Sequence, residues 1–386
     1  MLITRVKLKN WRNFRDVDIA LGPRAYMIGA NASGKSNFLD VFRFLRTIAQ
    51  TEGGGLQKAL KDRGGLTKLR SLHARKDPEV RIEIELSDSL SDSAPTWCYT
   101  LAFKSEGKGQ QRVLITQETV THRDRGQLLS RPEAPHDLSD PARLTQTHLE
   151  QINNNADFRE LAEFFAATTY LHLVPQLLKY GDEISGRILE SDPFGQGFLQ
   201  RIAQTSPRTR KARLDRIQKA LEIAVPQFSE LEFEQDQVTG RPHLKANFKH
   251  WRVHGSWQRE DQFSDGTLRL LGLLWALQEG DGLLLLEEPE LSLNDGITEH
   301  IPLIIDRVLR KRKTSRQVLI STHSDKLIAG LGDPHAVLLI EPSNNGSIIR
   351  GPLPEEINAL EHGLNPAEVL LPKTRPEQID QMGLFE

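Results

Sequence analysis

Alternation of apolar and polar residues predicts β-strands in the first third of the chain. Residues 2–9 and 17–21 alternate in this way, and the apolar run 25–28 predicts a short buried strand. The period of two returns between 79 and 122 in three stretches separated by polar residues, which predicts an antiparallel meander. The N-terminal part of the chain is therefore expected to be rich in sheet.

Apolar residues at helical spacing predict helices in most of the remaining sequence. One helix is expected directly after residues 29–36, and the same spacing dominates 156–224 and returns at 265–278 and near 295–312. Strands are predicted between and after these helices at 231–248, 282–290, 317–322 and 336–341.

The remaining segments have the composition of loops. Residues 51–76 are predicted to be a flexible crossing and 123–148 a loop, because both are rich in Gly, Pro or charged residues. The order of elements favours an α/β fold. The expected boundaries are 1–150, 151–280, 281–350 and a polar C-terminal tail, 351–386.

The composition narrows the class of protein. The chain has 386 residues with 50 Lys and Arg against 52 Asp and Glu, so any nucleic-acid surface must be a local patch. No run approaches the ~18 consecutive apolar residues of a membrane helix, and the N-terminus lacks the apolar block of a secretory signal. The single cysteine, Cys98, excludes an internal disulfide and a multi-cysteine zinc site. A cytoplasmic protein without a membrane partner is expected.

Residues 29–36 match the phosphate-binding pattern G-x-x-x-x-G-K-[ST], between an apolar strand and an amphipathic helix. Glycines allow backbone N–H groups to turn toward phosphate oxygens, and the helix N-terminus adds partial positive charge. Lys35 is expected to neutralise the β- and γ-phosphates, and Ser36 to bind Mg²⁺. The alternative is a glycine-rich turn with a solvated lysine.

Two later strands end in side chains suited to nucleotide chemistry. Four leucines precede Glu287 and Glu288, which indicates a strand buried on both faces with carboxylates at its C-terminal end, where α/β sheets bind ligands. Glu287 is predicted to hold Mg²⁺, and Glu288 to position or deprotonate the attacking water. His323 follows the next apolar strand and is predicted to contact the γ-phosphate. An acidic strand cap and a structural histidine are the alternatives.

The segment 263–269 opens an amphipathic helix with Ser264 at its N-cap. Capping alone is one interpretation. The other makes Ser264 and the N–H group of Gly266 a second phosphate-binding helix start, offered to a nucleotide held by another subunit.

The order of these motifs resembles that of ABC-type ATPase heads. The helix start Ser-Asp-Gly, the strand ending in Glu-Glu-Pro-Glu and the later Ser-Thr-His-Ser are similar to the SMC-like branch that includes RecF and the ATPase halves of OLD-family proteins. Residues 8–14 are similar to that branch's first strand and turn. The resemblance implies an ABC-type P-loop head with two lobes. The first has a mixed sheet and an antiparallel meander and is built from both ends of the chain, and the second is helical. It also implies a homodimer that closes around two ATP molecules.

The resemblance assigns roles to the motif residues. Glu288 and His323 are expected to be catalytic, and Ser36 and Glu287 to bind Mg²⁺. The residues expected to bind ATP are Gly29, Asn31, Ser33, Gly34, Lys35, Ser36, Asn37, Ser264 and Gly266.

Three positions depart from the family's pattern or stay open. Asp265 stands where the usual signature has a glycine, and its charge is expected to weaken ATP-driven closure or to make closure depend on a partner. Glu287 replaces the common aspartate and has a different reach. Gln176 and Gln117 are both candidates for the family's Q-loop glutamine.

Two runs of basic residues and the C-terminus suggest partners. The first run includes Arg208, Arg210, Lys211, Arg213, Arg216 and Lys219, and either binds nucleic-acid phosphates without reading sequence or is a solvated helix face. The second run lies at 307–316, where pairing with the C-terminal dipole of the helix that it closes is the favoured explanation. Gln381, Leu384 and Phe385 resemble a peptide that docks on the bacterial sliding clamp; packing on the protein itself is the alternative.

Several functions are compatible with this sequence. The first is an ATP-hydrolysing switch that acts on DNA or with a nucleic-acid-processing partner, in DNA repair or anti-phage defence. The second is a slow, nucleotide-gated scaffold for a protein effector. A kinase or GTPase leaves Ser264 and His323 without a role, and a transporter ATPase differs in the entry strand. A nuclease or toxin is expected to be a separate chain.

Overall fold

The computed structural model describes residues 1–74, 77–90, 92–107, 112–133, 135–180, 194–249, 256–312 and 316–374. The fifteen strands of these residues form three sheets. In chain order they are β1 (Leu2–Trp11), β2 (Phe14–Ala20), β3 (Arg24–Ile28), β4 (Val80–Ser87), β5 (Trp97–Ser105), β6 (Val113–His122), β7 (Gly126–Arg131), β8 (Thr169–Leu171), β9 (Phe228–Gln235), β10 (Pro242–Phe248), β11 (Ser256–Arg259), β12 (Leu284–Glu287), β13 (Val318–Ser321), β14 (Val337–Glu341) and β15 (Ile348–Arg350).

Thirteen α-helices of the described residues cover or connect these sheets. They are α1 (Lys35–Ala49), α2 (Leu56–Lys61), α3 (Leu66–Leu69), α4 (Pro135–Ser139), α5 (Arg159–Ala166), α6 (Pro175–Lys179), α7 (Phe198–Gln204), α8 (Pro207–Ala224), α9 (Asp265–Gln278), α10 (Asp295–Arg310), α11 (Asp325–Ala329), α12 (Pro354–Glu361) and α13 (Pro366–Leu370).

The predicted meander is part of a six-stranded antiparallel sheet with the order β2-β1-β4-β5-β6-β7. Along β4, buried and half-buried positions alternate, so one face of the strand packs inward and the other is partly solvated. The inner face joins α1 and α5 in a first core, where the rings of Trp11 and Phe44 lie 5.1 Å apart in edge-to-face contact.

The nucleotide motifs lie on the second sheet, which has the order β15-β14-β3-β13-β12-β8. All of its neighbouring pairs are parallel except β14 and β15. Leu285 packs into the first core, and Leu284 and Leu286 into a second core on the opposite face. Burial of both faces explains the uninterrupted leucines of β12.

The second core lies between the parallel sheet, the helices α7 to α10 and a small antiparallel sheet with the order β11-β10-β9. At its centre, α9 is almost wholly buried, including Trp275, which makes an edge-to-face contact with Phe198. The fold is the mixed α/β architecture expected from the motifs, with a helical lobe on one side.

Two segments expected to lack regular structure are folded. Residues 51–76 contain α2 and α3, whose Leu56, Leu60 and Leu69 are buried in the first core. The segment 123–148 holds β7, which pairs with β6, and α4. The prediction of a loop is wrong there because an internal ion network, not an apolar pattern, holds this segment to the sheet.

The lobes interleave along the chain more than the predicted boundaries suggest. The short strand β8 lies inside 151–280 but pairs with β12 in the parallel sheet. Within 351–386, α12 and α13 pack on the body of the protein, and Leu370 is buried in the second core. No helix in the described part of the chain is both long and apolar enough to span a membrane.

Candidate nucleotide-binding and catalytic site

The phosphate-binding loop connects β3 to α1. Gly34 has a φ of 119°, and a Cβ atom there would overlap the side chain of Asn13, so both conformation and space require glycine. Asn13 donates from Nδ2 to the Ser33 carbonyl over 2.5 Å and to Ser347 Oγ over 2.8 Å. The loop is therefore held from outside by an asparagine to which sequence reasoning gave no role.

The loop residues divide into exposed and packed groups. Asn31 and Ser36 are exposed, whereas Ser33 and Gly34 are buried. Asn37, expected to bind ATP, donates from Nδ2 to Asn13 Oδ1 over 2.8 Å. In this structure Asn37 therefore supports the loop through Asn13.

Lys35 lies within the loop with its side chain almost fully buried. Its Nζ donates to the carbonyl oxygens of Gly29 at 2.9 Å and Ala30 at 3.0 Å. Burial lowers the pKa of Lys35 to about 8, against the opposing influence of Glu288 and Glu287. An anionic phosphate would supply the negative charge that this ammonium lacks among its hydrogen-bond partners.

The parallel register brings the catalytic candidates to one sheet edge. Glu287 at the end of β12 is level with Ser321 of β13, which in turn is level with Met27 of β3, just before the loop. Ser36 Oγ donates a hydrogen bond to Glu287 Oε1. Two oxygen atoms of the kind that Mg²⁺ prefers as ligands thus lie side by side.

The second oxygen of Glu287 accepts a hydrogen bond from the hydroxyl of Tyr170 on β8. Tyr170 is buried, and the guanidinium of Arg43 lies 4.1 Å from the centre of its ring. Burial and the neighbouring carboxylate raise the pKa of the Tyr170 phenol, so it remains a donor. Sequence reasoning missed Tyr170 because the three residues of β8 lie inside a helix-rich segment.

Glu288 and His323 face each other at the same edge, with His323 Nε2 3.4 Å from Glu288 Oε1. The φ of Glu288 is 45°, a left-handed conformation that is unfavourable for this residue type and is typical of functional positions. Burial and Lys35 lower the pKa of His323, which favours its neutral form. The pair is placed for proton transfer to and from a water molecule.

Glu290 holds the turn that carries His323 in place through hydrogen bonds. Its Oε1 accepts from Thr322 Oγ1 at 2.5 Å and from the His323 backbone N–H at 3.2 Å. Its other oxygen, Oε2, is buried without a hydrogen-bond partner among the described residues. The carboxylate therefore connects the strand β12 to the turn that carries His323.

The signature helix α9 begins as predicted. The side chain of Ser264 accepts from the Thr267 N–H group over 3.1 Å, which is an N-cap, and Ser264 is exposed. A Cβ atom at Gly266 would lie 2.5 Å from the Ser292 carbonyl, so this helix start packs closely on the segment after Glu290. In the described residues, no hydrogen bond joins Ser264 or Gly266 to the phosphate-binding loop.

Asp265 is paired within its own subunit. Lys179 Nζ lies 2.7 Å from Asp265 Oδ1, and Gln176 Nε2 donates to Asp265 Oδ2 over 2.7 Å. The charge of Asp265 is therefore paired with a lysine of the same subunit, and its expected effect on ATP-driven closure stays a prediction. Gln176 lies beside the signature helix, whereas Gln117 lies in the meander and accepts from Arg81 over 2.7 Å.

Several residues of the two basic runs make contacts within the protein itself. Arg210 stacks 3.8 Å from the centre of the Phe233 ring, and Arg213 lies 5.2 Å from that of Trp275. Arg208 and Lys211 are exposed on α8. In the second run, Arg312 and Arg316 donate to the last carbonyls of α9, which is helix capping of a neighbouring helix.

The predicted docking residues Gln381, Leu384 and Phe385 lie outside the described residues. Within them, the loop fits a nucleotide. The buried hydroxyl Ser33 Oγ has no hydrogen-bond partner among the described residues, and Lys35 Nζ donates to two backbone carbonyls. Ser36 and Glu287 would hold Mg²⁺.

The fold and the order of its motifs are those of an ABC-type P-loop head, similar to SMC heads and RecF. Residues 25–329 match the family described as "AAA domain, putative AbiEii toxin, Type IV TA system", and the chain belongs to that family.

Two DNA replication and repair proteins RecF, from Clavibacter michiganensis subsp. michiganensis and Clavibacter sepedonicus, are 26% identical to this chain over 95 residues. That alignment spans 24% of this chain and 24% and 23% of the two relatives, about a quarter of their length.

Solved structures show the same fold over nearly the whole chain. An SMC head bound to the C-terminal winged-helix domain of ScpA covers 92% of this chain and 100% of its own, with a TM-score of 0.56 and 14% identity. The Smc head of Pyrococcus furiosus bound to the C-terminal domain of ScpA covers 93% and 98%, with a TM-score of 0.52 and 13% identity.

Proposed function

We propose that this protein hydrolyses ATP and that two copies close face to face around two ATP molecules, as a switch that acts on DNA or on a nucleic-acid-processing effector. The observation that carries the proposal is the convergence of Lys35, Ser36, Glu287, Glu288 and His323 at one edge of the parallel sheet.

Each of these side chains has a task in hydrolysis. Lys35 binds the β- and γ-phosphates, while Ser36 and Glu287 hold Mg²⁺, which neutralises the charge that develops on the phosphates. Glu288 takes a proton from the attacking water. His323, held by the backbone N–H bond to Glu290, donates to the γ-phosphate and remains close to Glu288.

The position of the signature supports the proposed pairing of two copies. Ser264 is exposed, and neither it nor Gly266 is bonded to the phosphate-binding loop of its own subunit in the described residues. A helix N-terminus attracts anions. In a symmetric pair, the start of α9 is available to the γ-phosphate held by the partner subunit.

The biological target is less closely tied to particular residues. RecF relatives act in DNA replication and repair, and the family's description names a toxin of a type IV system; both support a nucleic-acid or defence setting. Two of the six residues of the first basic run, Arg210 and Arg213, lie over aromatic rings of the protein itself. This favours, as a second candidate, a nucleotide-gated scaffold for a protein effector; the SMC heads bound to ScpA show that the fold can hold a second chain.

The test is the steady-state ATPase rate at low salt with and without linear duplex DNA, with Glu288→Gln as the blank. Stimulation that falls with salt and is lost in Arg208→Glu/Lys211→Glu supports action on DNA. The matched control reverses two exposed lysines of the other lobe, Lys61→Glu/Lys68→Glu, and should leave the rate unchanged. Hydrolysis no faster than that of the Glu288→Gln blank would refute the enzymatic proposal.

A further inference from the structure

The helices α8 and α10 both pack on α9 and leave a groove of about 760 Å³ between them. Its floor is apolar and is formed by Ile217 and Ala220 of α8, Leu274 of α9, and Ile304 and Val308 of α10. The exposed Ile223 lies at the margin of the groove, with 85% of its surface accessible.

The rim of the groove is basic on both sides. Arg216 and Lys219 line it from α8, Arg307 from α10 and Lys311 from the C-cap of α10, so the two basic runs of the sequence converge on one site. All four are exposed. Asp281, which also lines the groove, is paired with Arg312, and no other acidic residue lines it within the described part of the chain.

An apolar floor combined with a basic rim favours some anionic partners over others. A duplex backbone would be attracted by the four cations but would gain nothing from the apolar floor. A single strand would need stacking surfaces, and no aromatic side chain lines the groove in the described residues. A helix with one apolar and one acidic face satisfies both features, because apolar side chains at i, i+3, i+4 and i+7 enter such grooves.

We propose that this groove docks an acidic amphipathic helix of a partner protein. The lining segments 216–223 and 304–312 are each about 12 Å long, or roughly two helical turns, so three or four apolar anchors of the partner fit the floor. Glutamates or aspartates that flank the anchors pair with the lysines and arginines of the rim.

The position of the groove suits a partner that responds to ATP. Asp281 precedes β12 and Arg312 precedes β13, so the groove lies at the sheet edge opposite Glu287 and Ser321. The helix α9 begins at the signature and ends beneath the groove, about 20 Å away along its axis. A helix docked in the groove would stay accessible when two heads close at the other edge of the sheet. The idea that the docked partner is an effector controlled by ATP rests on the proposed function.

The docking itself is tested without nucleotide, so that its failure is separate from a failure of ATP hydrolysis. The probe is a fluorescein-labelled, lactam-bridged 16-residue helix with leucines at i, i+3, i+4 and i+7 and glutamates on both sides. A peptide of the same composition with the leucines dispersed, and a labelled 30-base-pair duplex, serve as competitors in fluorescence anisotropy.

The amphipathic peptide is expected to bind at least about tenfold more tightly than the dispersed peptide. Arg307→Glu/Lys311→Glu should weaken it about tenfold, and Ala220→Trp, which fills the floor without changing charge, should do the same. Lys61→Glu/Lys68→Glu is the matched control and should bind like the wild type. Circular dichroism of each variant confirms that it is folded.

Three results would overturn the proposal. Equal binding of the two peptides would show that charge alone acts. Duplex binding that is lost in Arg307→Glu/Lys311→Glu while the peptide gains nothing from its apolar face would make this a nucleic-acid surface. Peptide binding that appears only after deletion of residues 375–386 would make the groove a site for the chain's own C-terminus.

Discussion

Two clusters of polar and charged residues lie at the two large sheets. They differ in how many of their buried hydrogen-bonding atoms have a partner. In the antiparallel sheet, Arg131 is buried and its guanidinium donates to Glu118, to Asp137 and to two backbone carbonyls. Glu118 also accepts from two backbone N–H groups. In the parallel sheet, Ser33 Oγ and Glu290 Oε2 are buried without partners among the described residues.

The difference distinguishes a structural cluster from a functional one. A buried network in which each charge is paired tightens one conformation, whereas unused hydrogen-bonding capacity costs free energy unless a ligand meets it. The left-handed backbone of Glu288 adds a second cost at the nucleotide edge. Substitutions should therefore change stability in the first cluster and catalysis in the second.

The largest effect is expected at Glu288. Replacement by Gln removes the proposed base for the water proton, and turnover should fall on the order of a thousandfold, or about 4 kcal/mol of barrier. ATP binding and the thermal midpoint should remain close to the wild type, since Glu288 is half-exposed and has no buried partner to strand. Single-turnover assays and fluorescent-nucleotide titration measure the two quantities. Equal loss of binding and turnover would place Glu288 in nucleotide binding instead.

Arg131→Met should have the converse effect. It leaves the buried carboxylate Glu118 without its cation and Asp137 with only the more exposed Arg143, so the free energy of unfolding should fall by about 3 kcal/mol. Urea unfolding followed by circular dichroism provides the measurement. The control is Arg112→Met, which breaks an exposed ion pair with Glu106 and should cost less than about 1 kcal/mol. Similar losses in both variants would show that the buried network is not structural.

Tyr170→Phe should loosen the metal site without unfolding the protein. Loss of the hydrogen bond to Glu287 should raise the Mg²⁺ concentration needed for nucleotide binding about tenfold. Tyr26→Phe, another buried tyrosine of the parallel sheet, is the matched control. In a Glu287→Asp background the shorter side chain no longer reaches the phenol, so Tyr170→Phe should add little. Additive effects would mean that Tyr170 acts on the fold and not through Glu287.

The smallest effect is expected in the pH dependence of stability, through His148 beside the network of Arg131 and Glu118. Burial, followed by the charge of Arg131, lowers the pKa of His148 to about 4, whereas an unfolded histidine titrates near 6.5. The unfolded chain therefore binds the extra proton between these values, and stability is lost as the pH falls from about 6.5 toward 4. His148→Gln removes this pH-dependent loss of stability. The free energy of unfolding of the variant relative to wild type should therefore rise by about 1 kcal/mol between pH 7.5 and 5, a value that allows for solvent screening of the partly exposed imidazole. A difference independent of pH would contradict this assignment.

Local sequence was sufficient where one motif carries its own physical reason. The glycines before Lys35 and the leucines before Glu287 each specify a backbone geometry and a burial, and the structure has both. Ser264 likewise caps α9. These features need no knowledge of distant residues.

Long-range contacts decided the rest. The strand β8 contributes Tyr170 to the site, yet three residues are too short for a periodic signal, and only pairing with β12 makes them a strand. The segment that carries Arg131 is polar and reads as a loop until Glu118, from a strand earlier in the chain, completes its network. Arg210 looked free in sequence because Phe233, on which it stacks, lies on another element.

The central claim is that Lys35 of one head and Ser264 of another act on the same ATP, and complementation tests it directly. Lys35→Ala removes the phosphate lysine, and Ser264→Asp keeps the helix cap while repelling the γ-phosphate. Each variant alone should be inactive. A one-to-one mixture should recover about a quarter of the wild-type ATPase rate, since half of the pairs are mixed and each mixed pair has one intact site. A mixture as inactive as its components would contradict a shared site.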